Sequence, residues 1–332
     1  MHTVLLTRII PADGDEFSRL SQVQKHITYL PKGIKLWFHP LLQTDEGEVL
    51  SFLCSIKIDI LKFYQTENTS AAQIRELRHL LKHLLAYGGY MLDDMVVSRI
   101  DYCYNIRIAD DRTRKILFCL LQKCPTKAIY TMRGVSYATS IYSRSKSKVV
   151  NVYDKNAERT ATYLTTGSYS DLPQTYEQDM VRMELQLKAD HLKYMARRGV
   201  RRSAKNWIHM GTEYYYLNKL YGMFPRGDFY VLAQAEKIID SSEYKTTMKE
   251  RLKGFLRIIA DKDMDAARAQ VSYNTYHRYL EMLSAIGVNP ITIPADCGIP
   301  YIQSPFIFPS PFGYSLVSVI ADGLCRPIAG VI

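Results

Sequence analysis

Tyr153 sits in the run VVNVYDKNAER, two residues before Lys155 and just after Arg144, Lys146 and Lys148. A phenol at a strand end can attack phosphorus and hold the phosphate as a covalent ester. It is inert at its ordinary pKa of about 10, so a neighbouring cation such as Lys155 is expected to help ionise it. Asp101 in VVSRIDYCYNIRI and Glu184 in DMVRMELQLK are candidate oxygen ligands for Mg²⁺ or Mn²⁺. Such an ion offsets the charge that builds on a phosphodiester under attack. Arg99 and Arg182 stand two residues from the acids and can grip phosphate oxygens. Each residue also has a plainer reading. A strand tyrosine packs, a half-exposed aspartate is solvated, and alternation is common to any half-buried sheet.

These residues can cooperate only if strands bring them together. DMVRMELQLK alternates cleanly, with Val181, Met183, Leu185 and Leu187 on one side and Arg182, Glu184 and Gln186 on the other. VVSRIDYCYNIRI reads as a strand with Arg99, Asp101, Asn105 and Arg107 on its polar face. SIKIDIL ends a further strand and offers Asp59 as a third ligand. SYATSIYS and KVVNVYDK read as a hairpin turning at SRSKSK, which puts Asn151, Tyr153 and Lys155 on one face. Residues 2–10 form a first strand. A helix capped by Thr69 or Ser70 runs to Gly88-Gly89, and another spans about 111–123. Residues 160–178 are expected to form a loop. From residue 189 to about 287 the pattern is helical, with Arg197, Arg198, Arg201, Arg202 and Lys205 near its start. From Asn289 onward the chain holds seven of its 13 prolines and reads as a tail.

The order predicts an α+β fold: an antiparallel-rich sheet with packed helices over 1–190, a helical region over 191–288, and the proline-rich tail 289–332. The chain has 332 residues, 47% of them hydrophobic, enough for a core and too many for global disorder. A net charge of +10 and 25 tyrosines suit a polyanionic partner with bases to stack. No apolar stretch is long enough to span a membrane, and the six scattered cysteines read as free thiols of a cytoplasmic protein. There is no Gly-x-x-x-x-Gly-Lys-Ser/Thr motif, so no P-loop motor, and no zinc-knuckle spacing.

RIDYCYN, SIYSRSKSKVVNVYDKNAER and VRMELQLK occur in an order and spacing that resemble the Rep_trans-type replication initiation factors of rolling-circle plasmids and the filamentous-phage replication endonucleases. The resemblance covers roughly residues 50–195. It implies an HUH-like sheet and a rolling-circle initiator that nicks and rejoins single-stranded DNA through a 5′-phosphotyrosyl link. It makes Tyr153 the nucleophile, with Lys155 and Glu158 closing its motif, and puts Asp101 and Glu184 at the metal, Mg²⁺ or Mn²⁺. Arg99, Arg144, Lys146, Lys148, Arg182, Arg197, Arg198, Arg201 and Arg202 are then the DNA-binding candidates. The implied partners are origin DNA, single-stranded or cruciform, with a host helicase and polymerase and a homodimeric assembly. The His-hydrophobic-His triplet of better-known HUH enzymes is absent. Two alternatives stay open: a conjugative relaxase or mobilisation nickase, and a non-catalytic DNA-binding regulator on a degenerated nuclease fold.

Overall fold

Apolar side chains alternate along β1 (Thr3–Pro11), β3 (Val49–Asp59), β4 (Val96–Arg107) and β8 (Met180–Leu187), so each strand has one face that must leave water. In the computed structural model, which describes residues 1–12, 15–124, 133–169 and 172–305, those faces join in a single eight-stranded sheet. With β2 (Ile34–Gln43), β5 (Arg133–Tyr137), β6 (Ser140–Arg144) and β7 (Lys148–Asp154), the order is β2-β3-β1-β4-β8-β7-β6-β5. Every pairing in it is antiparallel. The protein is therefore a mixed α+β fold built on an antiparallel sheet.

One face of the sheet is packed and the other is partly open. Helices α1 (Asp15–Ile27) and α3 (Ala71–Tyr87) bury Leu20, Val23, Leu77 and Leu81 against the β2–β3–β1 half. The cap expected for α3 is present: Ser70 and Gln73 bond reciprocally to each other's backbone N–H. Over the other half lie α6 (Ala189–Arg197), α7 (Ala204–Trp207) and α8 (Met210–Tyr221). Tyr216 of α8 stacks on Tyr102 and Trp207, with ring centroids 5.5 and 5.9 Å away. Tyr216, the last of the three consecutive tyrosines 214–216, thus supplies packing.

Two helices differ from the sequence expectation. α1 occupies a stretch assigned no element, and α5 (Lys155–Thr166) takes up the start of the expected loop. α5 is polar and threonine-rich, so its propensity is weak. Its ends carry it: Asp154 caps the N–H groups of Asn156 and Ala157, and Gly167 ends it at φ 66°.

The C-terminal helices α9 (Leu232–Ser241), α10 (Thr246–Asp261), α11 (Met264–Ala269) and α12 (Tyr273–Ala285) form a second cluster. It meets the sheet region through α4 (Asp111–Leu121) and the residues after it: Lys123 Nζ donates to Ala260 O at 2.5 Å. Residues 289–305, the start of the proline-rich tail, are packed onto this cluster. Ile291 and Ile293 are buried, and the short strands β9 (Phe229–Tyr230) and β10 (Tyr301–Ile302) pair. Residues 306–332 of that tail lie outside the described residues. Five cysteines, Cys54, Cys103, Cys119, Cys124 and Cys297, are free, and among the described residues no helix is long and apolar enough to cross a membrane.

His191 gives the packed face a pH dependence. Burial, with the charges of Lys148 and Lys219, pushes its pKa down to about 3, and its Nε2 shares a 2.8 Å hydrogen bond with the Tyr216 hydroxyl. The folded protein keeps this ring neutral where the unfolded chain would protonate it near 6.5. Stability from this residue is full above pH 6.5 and falls as pH drops toward 3, by up to about 1.4 kcal/mol per pH unit. Denaturant titrations at pH 6.5 and 5 are expected to show that loss, and His191→Gln to flatten it.

Candidate functional site

The strand register sets the site. Asn151, Glu184 and Cys103 lie side by side on β7, β8 and β4, and Tyr153, Arg182 and Asn105 form the next row. Asp101 lies in the row on the other side of Glu184, opposite Gln186 on one side and Thr3 on the other. Period-two alternation therefore delivers the phenol, the two acids and two arginines to the same face of the sheet.

Tyr153 is 7% exposed, and its hydroxyl donates to Glu184 Oε2 at 3.3 Å. Burial pushes the phenol well above its ordinary pKa, and Glu184's charge adds to that against the opposing charge of Arg182. Lys155 does not reverse this. Its Nζ lies 5.7 Å from the centre of the Tyr153 ring and is bound instead to Glu158, at 2.7 Å, and to Glu177, at 3.6 Å. Lys155 is itself pushed down by burial and by Arg182. The phenol is thus held neutral, hydrogen-bonded to a carboxylate, whereas the sequence suggested ionisation by Lys155.

Burial pushes the Glu184 carboxyl up, but His2, Arg182 and Arg99 outweigh it and hold it well below the usual carboxylate range. Asp101 is fully buried and is grasped by Arg99 through Nε at 2.9 Å and Nη2 at 2.6 Å. Burial and the nearby charge of Glu184 move it upward despite Arg99 and His2. Arg182, 2% exposed, donates to Asn105 Oδ1 at 2.8 Å and approaches His2 Nε2 at 3.3 Å.

His2 is the residue the sequence reading missed. Its backbone N–H donates to Asp101 O at 2.8 Å, just before β1 begins, and its ring turns into the site. Ligand atoms of His2, Asp101 and Glu184 all lie within 4.8 Å of one another. His2 Nδ1 is buried and 3.3 Å from Glu184 Oε2, yet makes no hydrogen bond. One imidazole with two carboxylates suits a divalent metal such as Mn²⁺. Asp59 is not within this trio. Its Oδ1 caps the short helix α2 (Ile60–Tyr64) by accepting from Lys62 N at 3.1 Å. It also lies 3.7 Å from His2 Nε2, where a carboxylate can orient a ligating imidazole. Gly33 makes this seat possible: at φ 135° its missing Cβ would come 2.8 Å from Asp59 O.

If the trio holds a divalent ion, Mn²⁺ at about 100 times its Kd is expected to stabilise the fold by about 2.7 kcal/mol. That corresponds to a melting-temperature rise on the order of 5 °C. Differential scanning fluorimetry with and without Mn²⁺ checks it, and Glu184→Gln is expected to remove the shift.

The basic candidates divide. Arg144 is exposed, and Lys146 is 91% exposed with only a 3.8 Å approach to Asp190. Lys148 is buried and, by strand parity with Leu187, belongs to the packed face near His191, so it is not in line with Arg144. Arg197, Arg198 and Arg201 are exposed at the end of α6 and beyond; Arg198 lies 4.7 Å over the Tyr194 ring. Arg202 is half-buried and continues the pairing of β4, exchanging bonds with Val97 through its backbone O at 2.8 Å and its Nε at 3.1 Å. No protein-family model matches this chain, and no curated protein matches it.

Proposed function

We propose that the protein is a metal-assisted DNA nickase and strand transferase of the rolling-circle initiator kind, built on an HUH-like sheet with Tyr153 as nucleophile. One observation carries the reading: the Tyr153 hydroxyl, Glu184, Asp101 and the His2 ring meet over one sheet face between Arg99 and Arg182. A packing tyrosine has no need of two acids, an imidazole and two guanidinium groups around its hydroxyl.

In this reading a phosphodiester enters from the side where the site retains exposure, at Arg99 (39% of its side chain), His2 (16%) and Glu184 (12%). Arg99 and Arg182 bind the phosphate oxygens. The Tyr153 oxygen attacks phosphorus, its proton leaving along the hydrogen bond to Glu184 and on to water; the O–P bond to tyrosine forms as the bond to the 3′ oxygen breaks. That oxygen leaves as a 3′-hydroxyl after taking up a proton, and the 5′ end stays on Tyr153. A divalent cation held by His2, Asp101 and Glu184 would offset the charge gathering on the phosphoryl oxygens. Attack by a 3′-hydroxyl on the phosphotyrosine reverses the step, so rejoining needs no ATP.

The test is covalent capture. The protein is incubated with Mn²⁺ and a panel of single-stranded and hairpin oligonucleotides, denatured, and digested. A nucleotide-bearing peptide containing Tyr153 supports the enzyme. DNA binding without any adduct across the panel supports the regulator reading, in which the same face binds without cutting.

A further inference from the structure

The open face does not end at the candidate site. Following the register outward from β4, Arg99 lies opposite Leu5 of β1, Leu5 opposite Lys57 of β3, and Lys57 opposite Lys35 of the edge strand β2. In the other direction Lys188, immediately after β8, is close enough to Arg144 and Arg99 that their charges add to burial in lowering its pKa. One cross-strand line thus carries Lys35, Lys57, Arg99 and Lys188, while Arg144, opposite Val149 and through it Gln186, lies in the adjoining row of Asp101. At about 4.8 Å per strand it runs about 19 Å from β2 to the end of β8. Asp101 lies two residues along β4 from Arg99, and so borders the line on its inner side.

The outer side of the line is different in kind. Two residues beyond Lys35 on the same face is Trp37, 38% exposed, and the same row crosses the sheet to Val96, 37% exposed. Ile9, 61% exposed, lies in the row beyond. The line of cations is therefore flanked by a row that has Trp37 at one end and Val96 at the other, with Ser55 and Thr7 between them. Lys35 and Lys57 are exposed, and the nearest acid on β3, Asp59, is already engaged with His2 and the α2 cap. Arg99 is paired with Asp101, but Lys35 and Lys57 face each other directly across β2 and β3, and like charges so placed cost stability unless a polyanion crosses them.

We infer that the open face of β2–β3–β1–β4 is the track for a single DNA strand, with phosphates along Lys35, Lys57 and Arg99 and a base stacked on Trp37. Single-strand binders combine these two elements, a cationic path for the backbone and an aromatic side chain for bases, over about 4–16 nucleotides. The line leads the strand past Arg99 to the acids, and so sets which phosphate lies over Tyr153. A duplex cannot present an unstacked base to Trp37. The inference takes its occupant from the nicking reading, but its test requires no cleavage.

The chain has two tryptophans, and Trp207 is 1% exposed, so fluorescence quenching by a ligand reports Trp37. The full-length protein is titrated with a dT20 oligonucleotide, without added metal, at several salt concentrations. Quenching is expected, and Trp37→Phe is expected to abolish it. Lys35→Ala/Lys57→Ala is expected to weaken binding and lower the slope of log K against log[salt] by about 1.4, for two phosphates on a single strand. Quenching that persists in Trp37→Phe, an unchanged salt slope in the lysine variant, or equal quenching by duplex DNA overturns the track. If the track holds and no adduct forms, only the nicking reading fails; if an adduct forms without quenching or slope change, only the track fails.

Discussion

Tyr153→Phe is expected to form no covalent adduct with any oligonucleotide that the wild-type protein captures. The substitution removes one oxygen, and that oxygen is the proposed nucleophile. No neighbour can replace it, because Glu184, the nearest group at 3.3 Å, would form an acyl phosphate that alkali destroys and mapping would place elsewhere. The fold should barely respond. The ring is already 7% exposed, phenylalanine fills the same space, and the lost hydrogen bond is worth about 0.5–1.5 kcal/mol. Binding to dT20 should also be retained. Loss of adduct with intact melting and intact binding would tie the chemistry to one atom. An adduct that survives in Tyr153→Phe would remove Tyr153 from the mechanism.

Arg114→Ala is expected to have the largest effect on stability, about 3–5 kcal/mol, the range for stripping one partner from a buried ion pair. Arg114 is 5% exposed at the start of α4 and holds three aspartates: Asp154 through Nε at 3.0 Å, Asp179 through Nη1 at 3.1 Å and Asp111 through Nη2 at 3.2 Å. It also donates to Ala109 O at 3.2 Å and to Ile108 O. Asp154 is 7% exposed, caps α5 and follows Tyr153 directly, so losing Arg114 leaves its charge buried beside the candidate nucleophile. Asp179 sits at φ 58°, a backbone state that such a bond helps hold. Urea denaturation checks the magnitude. Arg114→Lys can keep one of the pairs and is expected to fall between. A variant within about 0.5 kcal/mol of wild type would show that water can replace the clamp.

Much of this site was legible because a sheet has a strict period of two. Arg182 and Glu184 alternate with Val181, Met183 and Leu185, so their face was fixed by the sequence of β8 alone. The same parity, applied one strand over, would have set Lys148 apart from Arg144 and Tyr153; nearness in sequence to basic residues hid it. His2 was illegible for another reason. It precedes the first strand and has no partner histidine nearby in sequence, and only the central place of β1 between β3 and β4 brings it to Asp101. α5 was missed because threonines mask its helical pattern, although its signals, Asp154 before and Gly167 after, were both present. Lys155 looked like a partner for the phenol in sequence, but a helix start turns it toward Glu158 and Glu177.

The sheet is two runs of consecutive chain, β1–β4 and β5–β8, stitched by the single β4–β8 ladder. His2, Asp59, Asp101 and Arg99 come from one run; Tyr153, Arg182 and Glu184 come from the other. Neither run holds both acids on its own. A slip of two residues along that one ladder, in the direction that pairs Glu184 with Asn105, would keep every side chain on its proper face yet carry Glu184 about 7 Å further from Asp101. The seam is where the molecule could lose its chemistry while remaining folded, and amide exchange along β4 and β8 is the place to watch for it.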